Sequence, residues 1–447
     1  MSILLKNLKI LFVVAVIQSC QSTKPMVETE DVDTVKTTDI LEIVPQRPTY
    51  KTSRTRYFDL LHTNLNLTFD WEKRHVMGKA DLFLKPYFYP VDTLVLDAKG
   101  FSIEKLALRK NDSLINLGYK YNGEKLVVNL DKTYHQDEKL GIYIAYTAKP
   151  YEREVKSGKA IESDRGLYFI NHRYNLNKPV QIWTQGEPES SSAWFPTIDA
   201  PNERCTQDTY VTVDSQFVTL SNGELIYSRY NEDATRTDYW KMDQPHAPYL
   251  FMLAVGDFSI IKDEWNDLEV NYYVEPEYRN TAKDIFGNTP EMMTYFSDLL
   301  NYPYPWSKYA QVVVRDFVSG AMENTTASVF MEELQMDSRE LIDHNWDGII
   351  AHELFHQWFG NLVTCESWSH IPLNEAFATY GEYLWFEYKY GKDEAGYLWY
   401  DNFTNYLNEA SRQQKNLIRF NYDDPDDMFD NHSYAKGSLI LHMLRKL

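Results

Sequence analysis

Between Ile349 and Phe359 the sequence reads Ile-Ile-Ala-His-Glu-Leu-Phe-His-Gln-Trp-Phe, apolar nearly all round apart from His352, Glu353 and His356. A helix of that composition belongs in an interior rather than on a surface. Polar groups carried inside need partners, since each one left unsatisfied costs about 1–3 kcal/mol. Residues four apart share one helix face, so His352 and His356 turn their rings toward one point. A divalent ion at that point satisfies both imidazoles. Glu353 lies beside the first of them and reaches the same space without itself being a ligand. Any fold this chain adopts must therefore bury the helix and bring up a second element to complete the ligand set.

The second element is predicted over Pro372–Tyr390, a helical pattern that carries Glu375, with 18 residues between it and His356. Two imidazoles and one carboxylate leave a fourth zinc position open, which is the catalytic rather than the structural ligand set. The metzincin pattern needs Gly at 359 and His at 362, and Phe359 and Leu362 exclude it. Thr289-Pro290-Glu291 starts a further helix, and the periodicity predicts one continuous helix over Leu341–Phe359.

Upstream the texture is different. Leu65, Leu67 and Phe69, then Leu82 and Leu84, Leu94 and Leu96, alternate with polar neighbours. Turn clusters such as Tyr121-Asn-Gly-Glu124 and Ser221-Asn-Gly-Glu224 separate the runs. Many short strands make an all-β, sandwich-like domain over residues 50–257, followed by an α+β, mostly helical domain over 258–447 with one strand at Tyr309–Arg315.

The chain has 447 residues and a formal net charge of −20, which excludes a phosphate-wrapping, nucleic-acid partner. At its start, Lys6 and Lys9 precede the apolar run Ile10–Ile17 and then Gln18-Ser19-Cys20. That run is too short to span a bilayer, which takes about 20 apolar residues. It reads as a signal peptide over residues 1–19, with Cys20 positioned for lipidation as in a bacterial lipoprotein. The expectation is an exported protein of the cell envelope, touching a membrane only through a lipid on Cys20. Residues 20–49 are Thr-rich and acidic with scattered prolines, the composition of a disordered tether. Cys205 and Cys365 either pair or remain two buried thiols.

Gly320-Ala321-Met322-Glu323-Asn324 gives the metal motif a context. Taken with His352-Glu353-x-x-His356 and Glu375, it resembles the GxMEN and zinc signatures of the M1 family of metalloaminopeptidases. The similarity continues through Gln357-Trp358-Phe359-Gly360-Asn361 and Leu373-Asn374-Glu375-Ala376-Phe377-Ala378. The resemblance implies a thermolysin-like zinc domain holding one zinc ion, and peptides with a free N-terminus as substrates. It implies that Gly320–Asn324 lies along the substrate as an added strand and that Glu323 binds the α-ammonium. Thr184-Gln185-Gly186-Glu187-Pro188 resembles the segment that supplies a second carboxylate, Glu187. Asn431-His432-Ser433-Tyr434 resembles the segment whose tyrosine, here Tyr434, stabilises the oxyanion. Glu353 becomes the general base for a zinc-activated water.

Members of that family continue beyond the point where this sequence ends, inside an amphipathic pattern at Ser438–Leu447. The expectation is a zinc domain that is incomplete at its C-terminus, with its activity in isolation an open question. Two alternatives stand beside the aminopeptidase: a zinc endopeptidase, and a peptide-binding lipoprotein without turnover.

Overall fold

The alternating strands of the first half bury one face each, and that face decides their pairing. Phe58–Asp70 pairs antiparallel with His75–Pro86 and parallel with Cys205–Asp214. They are central strands of an eight-stranded sheet whose order is Glu224–Tyr230, Thr235–His246, Cys205–Asp214, Phe58–Asp70, His75–Pro86, Leu140–Ala148, Phe101–Lys110 and Ser113–Asn116. Leu65, Leu67, Val76, Ala80, Leu82, Leu84, Ile142 and Ile144 all point into the core, as period two requires. A three-stranded sheet (Val91–Asp97, Lys125–Tyr134, Tyr119–Tyr121) and a four-stranded one complete this half. The four-stranded sheet runs Val218–Ser221, Leu253–Gly256, Gln181–Thr184, Leu167–Ile170, and its strands are buried on nearly every residue. The computed structural model describes residues 49–111 and 113–447. The expected signal peptide, Cys20 and all but the last residue of the expected tether lie outside the described residues.

The four-stranded sheet closes at Gly256, and a five-stranded one opens at Ser259. Its order is Ser259–Trp265, Leu268–Val274, Tyr309–Val314, Ala327–Met331, Ala321–Met322. The inner strands are parallel, and Tyr309–Val314 is buried at every position, as expected for a strand covered on both faces. Ala321–Met322 is an edge, paired on one side only, antiparallel to Phe330 and Val329. Helices Thr289–Leu300 and Asp347–Phe355 pack beside this sheet, and Pro372–Lys389 packs on Asp347–Phe355 and carries Lys392–Ala410 and Gly437–Lys446 in turn. Among the described residues no helix is long and apolar enough to cross a membrane. Cys205 and Cys365 are both free and buried.

The continuous helix predicted over Leu341–Phe359 does not form. A single turn, Glu340–Asp343, is followed by a break, and the motif helix runs only from Asp347 to Phe355. At the break the Asp347 N–H donates to Asn345 Oδ1 (3.2 Å). The Asp347 carboxylate is drawn inward, accepting from Trp385 Nε1 (2.9 Å), the Tyr390 hydroxyl (2.7 Å) and Asn288 Nδ2 (3.0 Å). An anchored acid in the first turn starts the helix there. At the other end Gly360, with φ of +131°, reverses the chain, and Asn361 N–H donates to the His356 carbonyl (3.0 Å). Periodicity sees apolar spacing; it does not see these two local hydrogen-bonded stops.

Two glycines set the distance between the elements that matter. A Cβ on Gly381 would lie 2.7 Å from Phe355 Cγ, so only glycine lets Pro372–Lys389 approach the motif helix this closely. A Cβ on Gly437 would lie 2.3 Å from Ala376 Cβ, next to Glu375. Gly381→Ala is therefore expected to lower unfolding stability by about 1–3 kcal/mol through overpacking. The readout is a urea midpoint that falls at unchanged slope; an unchanged midpoint would contradict the close-packing account.

Candidate active site

His352 lies on the last turn of the motif helix and His356 directly caps it, so both rings face Pro372–Lys389. Three atoms converge there. His352 Nε2 is 3.1 Å from His356 Nε2 and 3.3 Å from Glu375 Oε2, which is 3.4 Å from His356 Nε2. For ligands about 2.0–2.1 Å from a tetrahedral zinc, simple geometry makes ligand–ligand edges of about 3.3 Å. The far side of each ring supports the same reading. His356 Nδ1 donates to the Phe359 carbonyl (2.9 Å), which leaves Nε2 of the neutral ring as a bare lone pair. His352 Nδ1 meets Glu382 Oε1 at 2.7 Å, a carboxylate–imidazole pairing that orients a metal ligand. Two imidazole nitrogens and a carboxylate oxygen converging at these distances fit a divalent cation.

The charge distribution points the same way. Burial alone would pull His352 down, but the carboxylates of Glu375 and Glu382 outweigh it and push it well up. Burial likewise opposes protonation of His356, and Glu323 and Glu375 raise it to about 9. Burial works to raise Glu375, yet the His356 and His352 imidazoles hold it down at about 2. The centre is built to attract positive charge.

Glu353 points past the ligands. Its Oε2 is buried and has no hydrogen-bond partner among the described residues. Burial pushes its carboxyl up to about 8, a range suited to taking and returning a proton. Tyr434 sits in a single π-helical turn, His432–Lys436, a local geometry that recurs at functional sites. Its ring lies parallel to that of His352, 6.1 Å between centroids at 12°. Burial and the charges of Glu375, Glu187 and Glu323 hold its hydroxyl well above the usual phenol range, so it remains a donor.

Glu187 follows the buried strand Gln181–Thr184 and reaches the same cavity from the first half of the chain. One carboxylate oxygen from each of Glu187, Glu323 and Glu375 lies within 4.8 Å of the others. Glu187 Oε1 and Glu323 Oε1 are buried without partners among the described residues. Burial, then the Glu323 and Glu375 carboxylates, push Glu187 well up. Glu323 is held by its backbone: its carbonyl accepts from Asn361 Nδ2 (2.7 Å) and Gln357 Nε2 (3.0 Å), both just past the motif helix.

Gly320, Ala321, Glu187, Glu323, His352, Glu353, His356, Glu375 and Tyr434 thus line one cavity of about 250 Å³. Met322 and Asn324 do not line it: Met322 is buried with Sδ 3.2 Å from Gln185 Nε2, and Asn324 lies wholly inside the loop. The lining residues missed by sequence reading include Glu382, Ile161 and Phe429. Glu382 had a signal, because it stands seven residues after Glu375 and so two turns along on the same face. Ile161 and Phe429 had none, being brought in by loops.

A model of the peptidase M1 N-terminal domain matches residues 57–250, and one of the peptidase family M1 domain matches residues 285–447. Human endoplasmic reticulum aminopeptidase 1 is 26% identical over 456 aligned residues, covering all of this chain and 46% of that protein. A probable aminopeptidase 1 of Sulfurisphaera tokodaii is 31% identical over 69% of this chain and 39% of its own length. The chain spans less than half the length of these curated relatives. The M1 zinc metallopeptidase of Deinococcus radiodurans shares the fold with a TM-score of 0.70 at 20% identity, covering 88% of this chain and 84% of that one. Yeast LTA4 hydrolase does so with a TM-score of 0.73 at 22% identity, over 91% of this chain and 62% of that one.

If Glu382 orients His352, then Glu382→Ala should weaken zinc binding about 10–100-fold. Competition against a chromophoric chelator measures this directly, and an unchanged affinity would remove Glu382 from the site. With both domain models matched in order and the zinc-ligand geometry in place, the chain belongs to peptidase family M1.

Proposed function

We propose that this chain is a zinc-dependent aminopeptidase, hydrolysing the first peptide bond of peptides that carry a free N-terminus. The observation that carries the reading is the pair of unpartnered, buried carboxylate oxygens on Glu187 and Glu323, grouped with Glu375 beside the metal triad. Buried carboxylates without partners are costly unless a cation joins them. A peptide's α-ammonium is a cation with three donors, and held there it leaves only the first peptide bond within reach of the metal centre. A relative from Deinococcus radiodurans solved with a Tyr-Ser-Ala substrate supports a peptide in this place.

His352, His356 and Glu375 would hold the zinc, which when bound polarises the scissile carbonyl and makes water acidic at neutral pH. The chain's own residues do the rest. The edge Ala321–Met322 offers its unpaired side to an extended peptide, as in strand addition. Glu353 takes the proton of the attacking water on Oε2 and passes it to the leaving amine nitrogen. The Tyr434 hydroxyl donates to the carbonyl oxygen as negative charge develops on it. Ile161 and Phe429 add apolar surface to the wall of the cavity.

Glu353→Gln should retain zinc and lose about 10²–10⁴ in kcat, the range of a positioned general base. In the same assay an aminoacyl p-nitroanilide should turn over and its N-acetyl twin should not. Cleavage of both at similar rates would replace the aminopeptidase with an endopeptidase, and stoichiometric zinc without turnover of either would favour a binding protein.

Export and anchoring are proposed from the first twenty residues: a basic start, the Ile10–Ile17 run and Cys20. A lipid on Cys20 would hold the enzyme at the cell envelope, with the membrane touched nowhere else. Fatty-acid labelling of the full chain expressed in a bacterium should be abolished by Cys20→Ser. Labelling that persists, or is absent from the parent chain, refutes the anchor.

A further inference from the structure

A loop that aims a buried carboxylate must itself be held, and the exit of Gly320–Asn324 is held by a group that the hydrolytic chemistry does not use. Thr326, two residues beyond the loop, is fully buried and has φ of +67°. A β-branched residue rarely adopts that left-handed conformation, and such strain persists only where the surroundings over-determine it.

The surroundings of Thr326 do so. Its N–H donates to Gln357 Oε1 (3.1 Å), and its carbonyl accepts from Ala310 N–H (2.9 Å) and Lys308 Nζ (3.2 Å). Its hydroxyl oxygen accepts from Gly223 N–H (2.8 Å) and Lys308 Nζ (3.1 Å). The carbonyl of Thr325 accepts from Asn222 Nδ2 (2.7 Å), and Lys308 Nζ donates a third time, to the Ser221 carbonyl (3.0 Å). Ser221-Asn222-Gly223 reads in the sequence as a turn between strands. It is not a hairpin, because Val218–Ser221 and Glu224–Tyr230 belong to different sheets. Here it is one half of a seat for the loop exit, and Lys308 is the other half.

Lys308 is an expensive way to fill that space. It is 5% exposed, its Nζ lies 5.4 Å from the centroid of the Trp240 ring, and among the described residues it forms no ion pair. Burial pulls its ammonium down to about 7. A buried amine without a counter-ion is disfavoured relative to an apolar side chain of the same length, so packing alone does not account for it.

The geometry points to Lys308 as a positioning residue that, by tying Thr326 to the Ser221–Gly223 turn, fixes the register of the Glu323 loop and so the capture of the substrate's α-ammonium. Lys308 lines no part of the metal cavity and acts only through Thr326 and the loop. This rests on the aminopeptidase reading above.

The test uses the zinc-loaded chain, Lys308→Met, and two inhibitors that share a hydroxamate for the metal. An L-alanine hydroxamate carries the free ammonium; acetohydroxamate lacks it. Losing part of one charge-assisted contact should raise the inhibition constant of alanine hydroxamate at least about tenfold. Acetohydroxamate should change by less than about twofold, and zinc should stay stoichiometric. A merely destabilising change would move both inhibitors together or neither, and either result overturns the inference. Should Lys308→Met fail to fold, Thr326→Gly carries the test, since glycine accepts the φ and removes the hydroxyl anchor. The same selective loss is expected, and wild-type selectivity would overturn the inference. A parent protein that itself makes no distinction between the two hydroxamates would overturn the aminopeptidase reading instead.

Discussion

Five carboxylates, on Glu187, Glu323, Glu353, Glu375 and Glu382, crowd one cavity, and that crowding organises the rest of the molecule. Two unit charges about 4.8 Å apart repel by about 3–4 kcal/mol at an effective dielectric of 20, and Glu187, Glu323 and Glu375 meet at about that spacing. The fold keeps them together by making the cavity a place for cations. The His352 and His356 rings hold Glu375 ionised, a divalent ion fits between the three, and one oxygen each of Glu187 and Glu323 stays buried without a partner among the described residues. Binding specificity and stability are thus the same electrostatic question. On the proposed reading, the groups that would select an ammonium are those that are costly without one.

Such an arrangement tolerates little movement, and the supporting structure is correspondingly over-specified. Gly381 and Gly437 let helices approach to within side-chain contact on both sides of Glu375. Just past the end of the motif helix at Phe355, the side chains of Gln357 and Asn361 both turn onto the Glu323 carbonyl. A longer helix would have pointed them elsewhere. The end of the motif helix and the placement of Glu323 are therefore linked through the same two side chains.

The legible part of this site was the part confined to single elements. His352 and His356 are readable because an i, i+4 pair shares a helix face whatever else the chain does. Glu375 was readable because the next amphipathic segment had to supply a third ligand. The strands of the first half were readable from alternation, since one face of each is buried. Glu187 and Tyr434 were reachable only through the family resemblance, for nothing local distinguishes a glutamate after a short strand or one tyrosine among 33. The helix over Leu341–Phe359 was misjudged at both ends because Asn345 and Gly360 act through hydrogen bonds and dihedral angles that hydrophobic spacing does not encode. The Ser221–Gly223 turn was seen as a turn, but its partner Thr326 lies 103 residues from Gly223.

That last separation explains why the two halves of the chain belong together. The four-stranded sheet of the first half ends one strand at Thr184, just ahead of Glu187, and another at Ser221, where the loop seat begins. It thereby provides one carboxylate directly and governs the other, on Glu323, through Thr325 and Thr326. The second half provides the metal ligands, the base and the tyrosine. Measuring the length from an N-terminus to a scissile bond requires two fixed points, one at the ammonium and one at the carbonyl. If the chain acts as proposed, the first point is built jointly by both halves and the second by the zinc domain alone. On that proposed reading, a metal centre in the second half by itself would retain the means to break a peptide bond and lose the means to decide which one.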